Sequence, residues 1–183
     1  MQLPKLEILD EKDKRLRKIS KEVTFPLSNQ DKKMIEDMLL YLKLSQIEEE
    51  REKYDLRAGW GLSAVQLGVL KRIFVIVEEL ENGEFRNYVV INPKVKSFSE
   101  ELIYVGEGEG CLSINRDTEG IVPRHARMTI EAQDIDGNTY TLRVREDVAI
   151  AFQHEIDHLN GILFVDHIDP KDPYKNAQLM REI

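Results

Sequence analysis

Apolar residues recur along this chain with two different periods, and the change falls near Gly59. Before it, Leu16 and Ile19 stand three apart in the charged run 11–19, which predicts a short amphipathic helix ending before Pro26. Ser28-Asn29-Gln30-Asp31 then has the signature of a helix start, a capping hydroxyl with a carboxylate three residues later. From there Met34, Ile35, Met38, Leu39, Leu42 and Ile47 repeat at near-helical spacing. This predicts the longest helix, running to about Glu50, with the charged run 48–53 as its solvated end.

After Gly59 the period shortens. Residues 72–77 and 88–91 are β-branched runs flanking the turn signal Glu81-Asn82-Gly83, and Asn92-Pro93 is expected to close the second strand. Residues 128–132 and 140–144 predict a further hairpin around Asp136-Gly137. Residues 146–160 are helical in composition, with Glu146 and Asp147 placed favourably for the helix dipole and Gly161 as the C-terminal cap. The run 162–165 predicts a last strand, and the polar tail 169–183 shows no long helix. Helices, then strands, then one late helix argue for an α+β fold in a single domain over 1–183, with antiparallel sheets in place of alternating βαβ units.

Composition narrows the class of protein. An apolar fraction of 42% and a charged fraction of 33% over 183 residues suit one soluble globular domain. The net charge of −8 disfavours a broad basic surface, so no direct nucleic-acid binding is expected. No apolar run is long enough for a bilayer, and the N-terminal residues lack the regions of a secretion signal. One cysteine excludes an internal disulfide and suits a reducing, cytoplasmic setting.

The chemistry concentrates in His154-Glu155-Ile156-Asp157-His158. Histidines at i and i+4 share one helix face and can hold one divalent ion, while Glu155 can reach a water held by that ion and act as its base. The apolar residues 148–152 and Leu159 imply a largely buried helix, where His, Glu and Asp need partners or a ligand. A catalytic site of this kind takes three protein ligands and keeps one position open. A third histidine at the spacing of one protease group is missing, because position 164 is Phe. A carboxylate on a following helix has little room in the 25 residues after His158. Cys111, in Gly108-Glu109-Gly110-Cys111-Leu112-Ser113, lies among glycines in a polar turn and supplies a thiolate candidate that widens the metal choice to iron, cobalt or nickel beside zinc. A closed structural site would need His125 or His167 as a fourth ligand. Gly59-Trp60-Gly61-Leu62-Ser63-Ala64-Val65-Gln66 reads as a tight turn into a strand, with Gln66 able to donate its amide to an oxyanion.

In this order the three segments resemble peptide deformylase, whose pattern is Gly-x-Gly-x-Ala-Ala-x-Gln, Glu-Gly-Cys-Leu-Ser and Gln-His-Glu-x-Asp-His-Leu-x-Gly. Here they stand at 59–66, 109–113 and 153–161, with Ser63 in place of the usual Ala and Trp60 between the glycines. Tyr54-Asp55-Leu56-Arg57-Ala58 and Gly106-Glu107-Gly108 are similar to the branch common in Gram-positive bacteria and their wall-less relatives. The resemblance covers residues from about 10 to about 168. It implies a metal held by Cys111, His154 and His158, ferrous iron natively, with zinc, nickel or cobalt able to substitute. It implies Glu155 as proton carrier, Gln66 and the Leu112 N–H as oxyanion donors, and Gly61 pairing with an extended peptide. The implied substrate is an N-formylmethionyl nascent chain, met in the cytoplasm near the ribosome exit and cut to formate and a free amine. Ile150 and Ala151, one turn before His154, are expected to line a methionine pocket, with Trp60 and Glu109 also facing substrate. A monomer is expected.

Overall fold

The computed structural model describes residues 3–183. The α-helices among the described residues are α1 (Asn29–Gln46), α2 (Glu48–Tyr54) and α3 (Glu146–Leu159). The strands are β1 (Gly61–Ser63), β2 (Ile73–Glu79), β3 (Phe85–Phe98), β4 (Leu102–Tyr104), β5 (Arg124–His125), β6 (Arg127–Gln133), β7 (Thr139–Arg145) and β8 (Arg181–Glu182). They form a five-stranded sheet in the order β1-β2-β3-β6-β7, antiparallel throughout, and a three-stranded sheet in the order β5-β4-β8. β4 pairs in parallel with β8, brought in by the returning tail. This is the expected α+β architecture, with α3 following the strands.

β2 organises the core. Its residues Ile73 to Val77 are all buried, because a helix covers each face of this strand. Side chains alternate along a strand, so Ile73, Val75 and Val77 meet Ile35, Met38 and Leu42 of α1, while Phe74 and Ile76 meet Ala149 and Phe152 of α3. Phe152 stands edge-on to both Phe74 and Tyr88, with ring centroids 5.5 Å apart in each pair. Burying Phe74 or Phe152 fully contributes on the order of 1.5–3 kcal/mol each.

Local chemistry explains where the elements depart from the hydrophobic pattern. Ser28 Oγ does accept the Asp31 N–H, at 3.0 Å, and starts α1. The long helix is interrupted, however, at Ile47, which is extended. Glu48, Glu49 and Glu50 then occupy the first turn of α2, where carboxylates favour a new N-terminus over a continuing helix interior. The helix expected over 11–19 shrinks to one 3-10 turn, Lys14–Arg17, started by the Asp13 carboxylate on the Arg15 N–H. Asn92-Pro93 does not end β3. The strand passes through as a bulge, with Asn92 at φ 50° and its amide bonded to both backbone groups of Val23. The strand expected over 162–165 is replaced by a 3-10 turn at Phe164–His167, because Asp166 accepts the Leu163 N–H and pairs with Arg17. Leu163 and Phe164 instead bury beside Cys111.

Candidate metal centre and active site

α3 places His154 and His158 on one face, one turn apart, with ring centroids separated by 5.1 Å. The turn after Gly110 brings Cys111 against them, its Sγ 3.4 Å from His158 Nε2. One ligand atom from each of the three residues lies within 4.8 Å of the others, and all three residues are buried. Four-coordinate zinc-like geometry asks for ligand separations of roughly 3.3–3.8 Å, so small side-chain movements suffice to close these donors on one ion. His154 Nδ1 is bonded to Glu109 Oε1 at 2.9 Å, which leaves Nε2 for the ion. Buried His158 Nδ1 has no hydrogen-bond partner among the described residues. The donor set of one thiolate and two imidazoles therefore fits a divalent transition metal, with a position left open on the cavity side.

The groups behind these donors are buried ions. Arg124 grips both oxygens of Glu109 at 2.8 and 2.9 Å and one oxygen of Asp157 at 2.7 Å. Asp157 also meets His167 Nε2 at 2.8 Å. Burial alone would raise the Glu109 pKa, but the hydrogen bonds from Arg124 and His154 outweigh it and bring it down to about 2. Burial would likewise lower His154, yet its bonds to Cys111 and Glu109 raise it. His158 moves the other way, pushed below the usual range by burial and by the neighbouring His154. Glu109 lines the cavity, and its carboxylate is bonded to His154 Nδ1.

Glu155 lies buried beside the three donors. Burial raises its pKa, against the opposing pull of His154 and the Ser63 hydroxyl. Ser63 Oγ donates to Glu155 Oε2 at 2.5 Å. Gly61 lets β1 come this close: a Cβ there would stand 2.6 Å from Glu155 Oε1. The Ser63 N–H donates to Gln66 Oε1 at 2.9 Å, which turns the Gln66 amino group toward Cys111 Sγ (3.6 Å) and Ser113 Oγ (3.0 Å). Ser63 therefore orients both the carboxylate and the amide. The Leu112 N–H makes no hydrogen bond among the described residues.

These groups border a cavity of about 370 Å³. Trp60, Gly61, Gln66, Glu109, Cys111, Leu112, Ile150, Ala151, His154 and Glu155 all line it, with His158 behind the cysteine. Trp60 is 40% exposed at the rim. Three contributors escaped the sequence pattern: the hydroxyl of Ser63, buried Arg124, and Arg57, which also lines the cavity. For Arg124 the available signal was indirect, since Glu109 and Asp157 need a cation if they are buried.

Three soft and borderline donors with an open side, next to a buried carboxylate and a cavity, constitute the centre of a metal-dependent hydrolase. The family model for polypeptide deformylase matches residues 5–174. A peptide deformylase of Oceanobacillus iheyensis is 51% identical over 152 residues, 83% of each chain. One from Staphylococcus epidermidis is 49% identical over 87% of this chain and 88% of its own. The crystal structure of a plant peptide deformylase superposes with a TM-score of 0.76 at 31% identity, covering 93% of this chain and 84% of that one. The chain belongs to the polypeptide deformylase family. Its reaction is hydrolytic removal of the formyl group from the N-terminus of nascent polypeptides.

Proposed function

We propose that Cys111, His154 and His158 hold ferrous iron in the cell and accept zinc, nickel or cobalt, and that Glu155, Gln66 and the Leu112 N–H carry the remaining chemistry. The bound ion supplies Lewis acidity that makes water a nucleophile at neutral pH and polarises the formyl carbonyl. Glu155 takes the proton from the attacking water and delivers it to the departing amine nitrogen. Its burial beside His154, with the Ser63 hydroxyl on its carboxylate, supports that transfer. Gln66 Nε2 and the Leu112 N–H receive the negative oxygen of the tetrahedral species. The observation that carries this reading is the location of Glu155, buried next to His154 and packed against β1, where Ser63 bonds its carboxylate and Gly61 leaves room for it.

The cavity walls support the substrate reading. Ile150 and Ala151 line it one turn before His154, and the small Ala151 leaves room for an unbranched thioether. Gly61, in β1 at the rim, pairs with the backbone of an extended peptide, and Trp60 borders the groove beside it. We place the enzyme in the cytoplasm as a monomer, meeting formylmethionyl chains near the ribosome exit. No helix among the described residues is long and apolar enough to cross a membrane. The test is formate release from a formyl-methionyl peptide, compared with products from the unformylated peptide, on metal-analysed enzyme purified without oxygen. Formate from the first and no cleavage of the second supports the reading; peptide-bond cleavage of the second contradicts it.

A further inference from the structure

The turn that carries Cys111 and Leu112 has every carbonyl from 111 to 114 occupied, and one side chain occupies three of them. Arg57 Nη2 donates to Cys111 O at 3.1 Å and to Ile114 O at 3.0 Å, and Nη1 donates to Leu112 O at 3.3 Å. Nη1 also bonds Asn115 Oδ1. The remaining carbonyl, of Ser113, accepts the Glu11 N–H at 2.7 Å. Cys111 O takes a second bond from the Ile114 N–H at 3.0 Å.

The Cys111 carbonyl and the Leu112 N–H belong to one planar trans peptide, so they point in opposite directions. Anchoring that carbonyl with two donors aims the N–H away from Arg57. The N–H itself has no acceptor among the described residues. We infer that Arg57 is a positioning residue that aims the Leu112 N–H at the oxyanion by holding the Cys111–Leu112 peptide plane. This inference rests on the oxyanion role proposed for Leu112.

Two considerations favour arginine over a general tether. A guanidinium presents five donors in a rigid plane, which suits three carbonyls and an amide oxygen gathered on one side of a turn. A lysine ammonium offers three donors on a flexible stem and cannot hold the same set. A donor charge on the carbonyl also polarises the peptide and strengthens its N–H as a donor. Gly59, two residues on, lets the same segment pack on Leu112, where a Cβ would stand 2.9 Å from Leu112 Cδ1.

Removing a whole oxyanion donor costs about 100- to 1,000-fold in kcat. Misaiming one should therefore lower kcat about 10- to 100-fold in Arg57→Ala and less in Arg57→Lys, with KM within about twofold. The experiment pairs these kinetics with the Leu112 amide signal of zinc-loaded protein, followed by NMR as formate is added. In the natural chain the signal should shift on formate binding; if it does not, the oxyanion role of Leu112 fails irrespective of Arg57. In Arg57→Lys the shift should shrink and the amide should exchange faster, while bound metal stays at the level of the natural chain. An unchanged shift with unchanged kcat overturns the inference, as does a fall in kcat that only tracks lost metal. Should Arg57→Ala fail to fold, the lysine variant decides on the same criteria.

Discussion

α1 and α3 cover opposite faces of the same strand, yet they bury different things. α1 presents Ile35, Met38 and Leu42 to β2, and its buried Asp31 and Ser45 are satisfied by other groups of the fold. Asp31 pairs with Lys71, and Ser45 donates to Leu42 O at 2.8 Å. α3 presents Ala149, Phe152 and Leu159 to the sheet but also buries Gln153, His154, Glu155 and His158. Gln153 has a structural task, bonding both backbone groups of His125 to hold β5. The other three have none that an apolar residue would not fill at lower desolvation cost. The contrast teaches that buried polarity beyond what the fold requires marks the chemistry, and that the two helices should fail in different ways.

The largest separation is expected for His158→Ala. It removes one of three donors, so bound metal should be lost and formate release should fall by about 1,000-fold or more. The metal-free variant should lose less stability than Leu42→Ala, since the cavity left by the ring is partly offset by removing an imidazole whose buried Nδ1 has no partner among the described residues. Metal analysis and denaturation of the metal-free chain check both halves. Leu42→Ala should do the reverse. A cavity in the α1 interface costs about 2–5 kcal/mol, read from urea unfolding, while kcat per folded, metal-loaded molecule stays the same. Equal effects on both properties from either variant would break the comparison.

Ser63→Ala should give the smallest effect and sharpens the α3 side. A buried hydrogen bond to a carboxylate contributes about 1.5–3 kcal/mol. Its loss should lower kcat several-fold with KM and bound metal unchanged, and Ser63→Thr should restore part of the rate. A double-mutant cycle with Glu155→Gln on the stability of the metal-free protein should show coupling of about 1 kcal/mol. Additive effects would mean that the hydroxyl does not hold the carboxylate.

Much of this was legible in the sequence. The hydrophobic period located α1 and the hairpins, and composition located α3. The histidines of α3 declared themselves by spacing on one helix. Cys111 needed the absence of a third histidine at 164 and its place among glycines. What stayed hidden depends on tertiary partners. Ile47 broke a continuous apolar pattern because the acidic run after it starts a second helix. The bulge at Asn92 depends on the backbone of Val23, 69 residues away. β4, β5 and β8 are too short for any period to register. Arg124 and Arg57 act on groups far away in the chain, so no local spacing announces them.

The central claim is that one ion on Cys111, His154 and His158 works with Glu155 as proton carrier. The most direct measurement is formate release and metal content on the same anaerobic sample of Glu155→Gln. The account predicts one bound ion per chain, as in the natural enzyme, and turnover reduced by about 1,000-fold or more, toward the upper end of the range of about 100- to 10,000-fold for acid–base catalysis because the same group serves both transfers. Turnover within about tenfold of the natural enzyme, with metal retained, would contradict it.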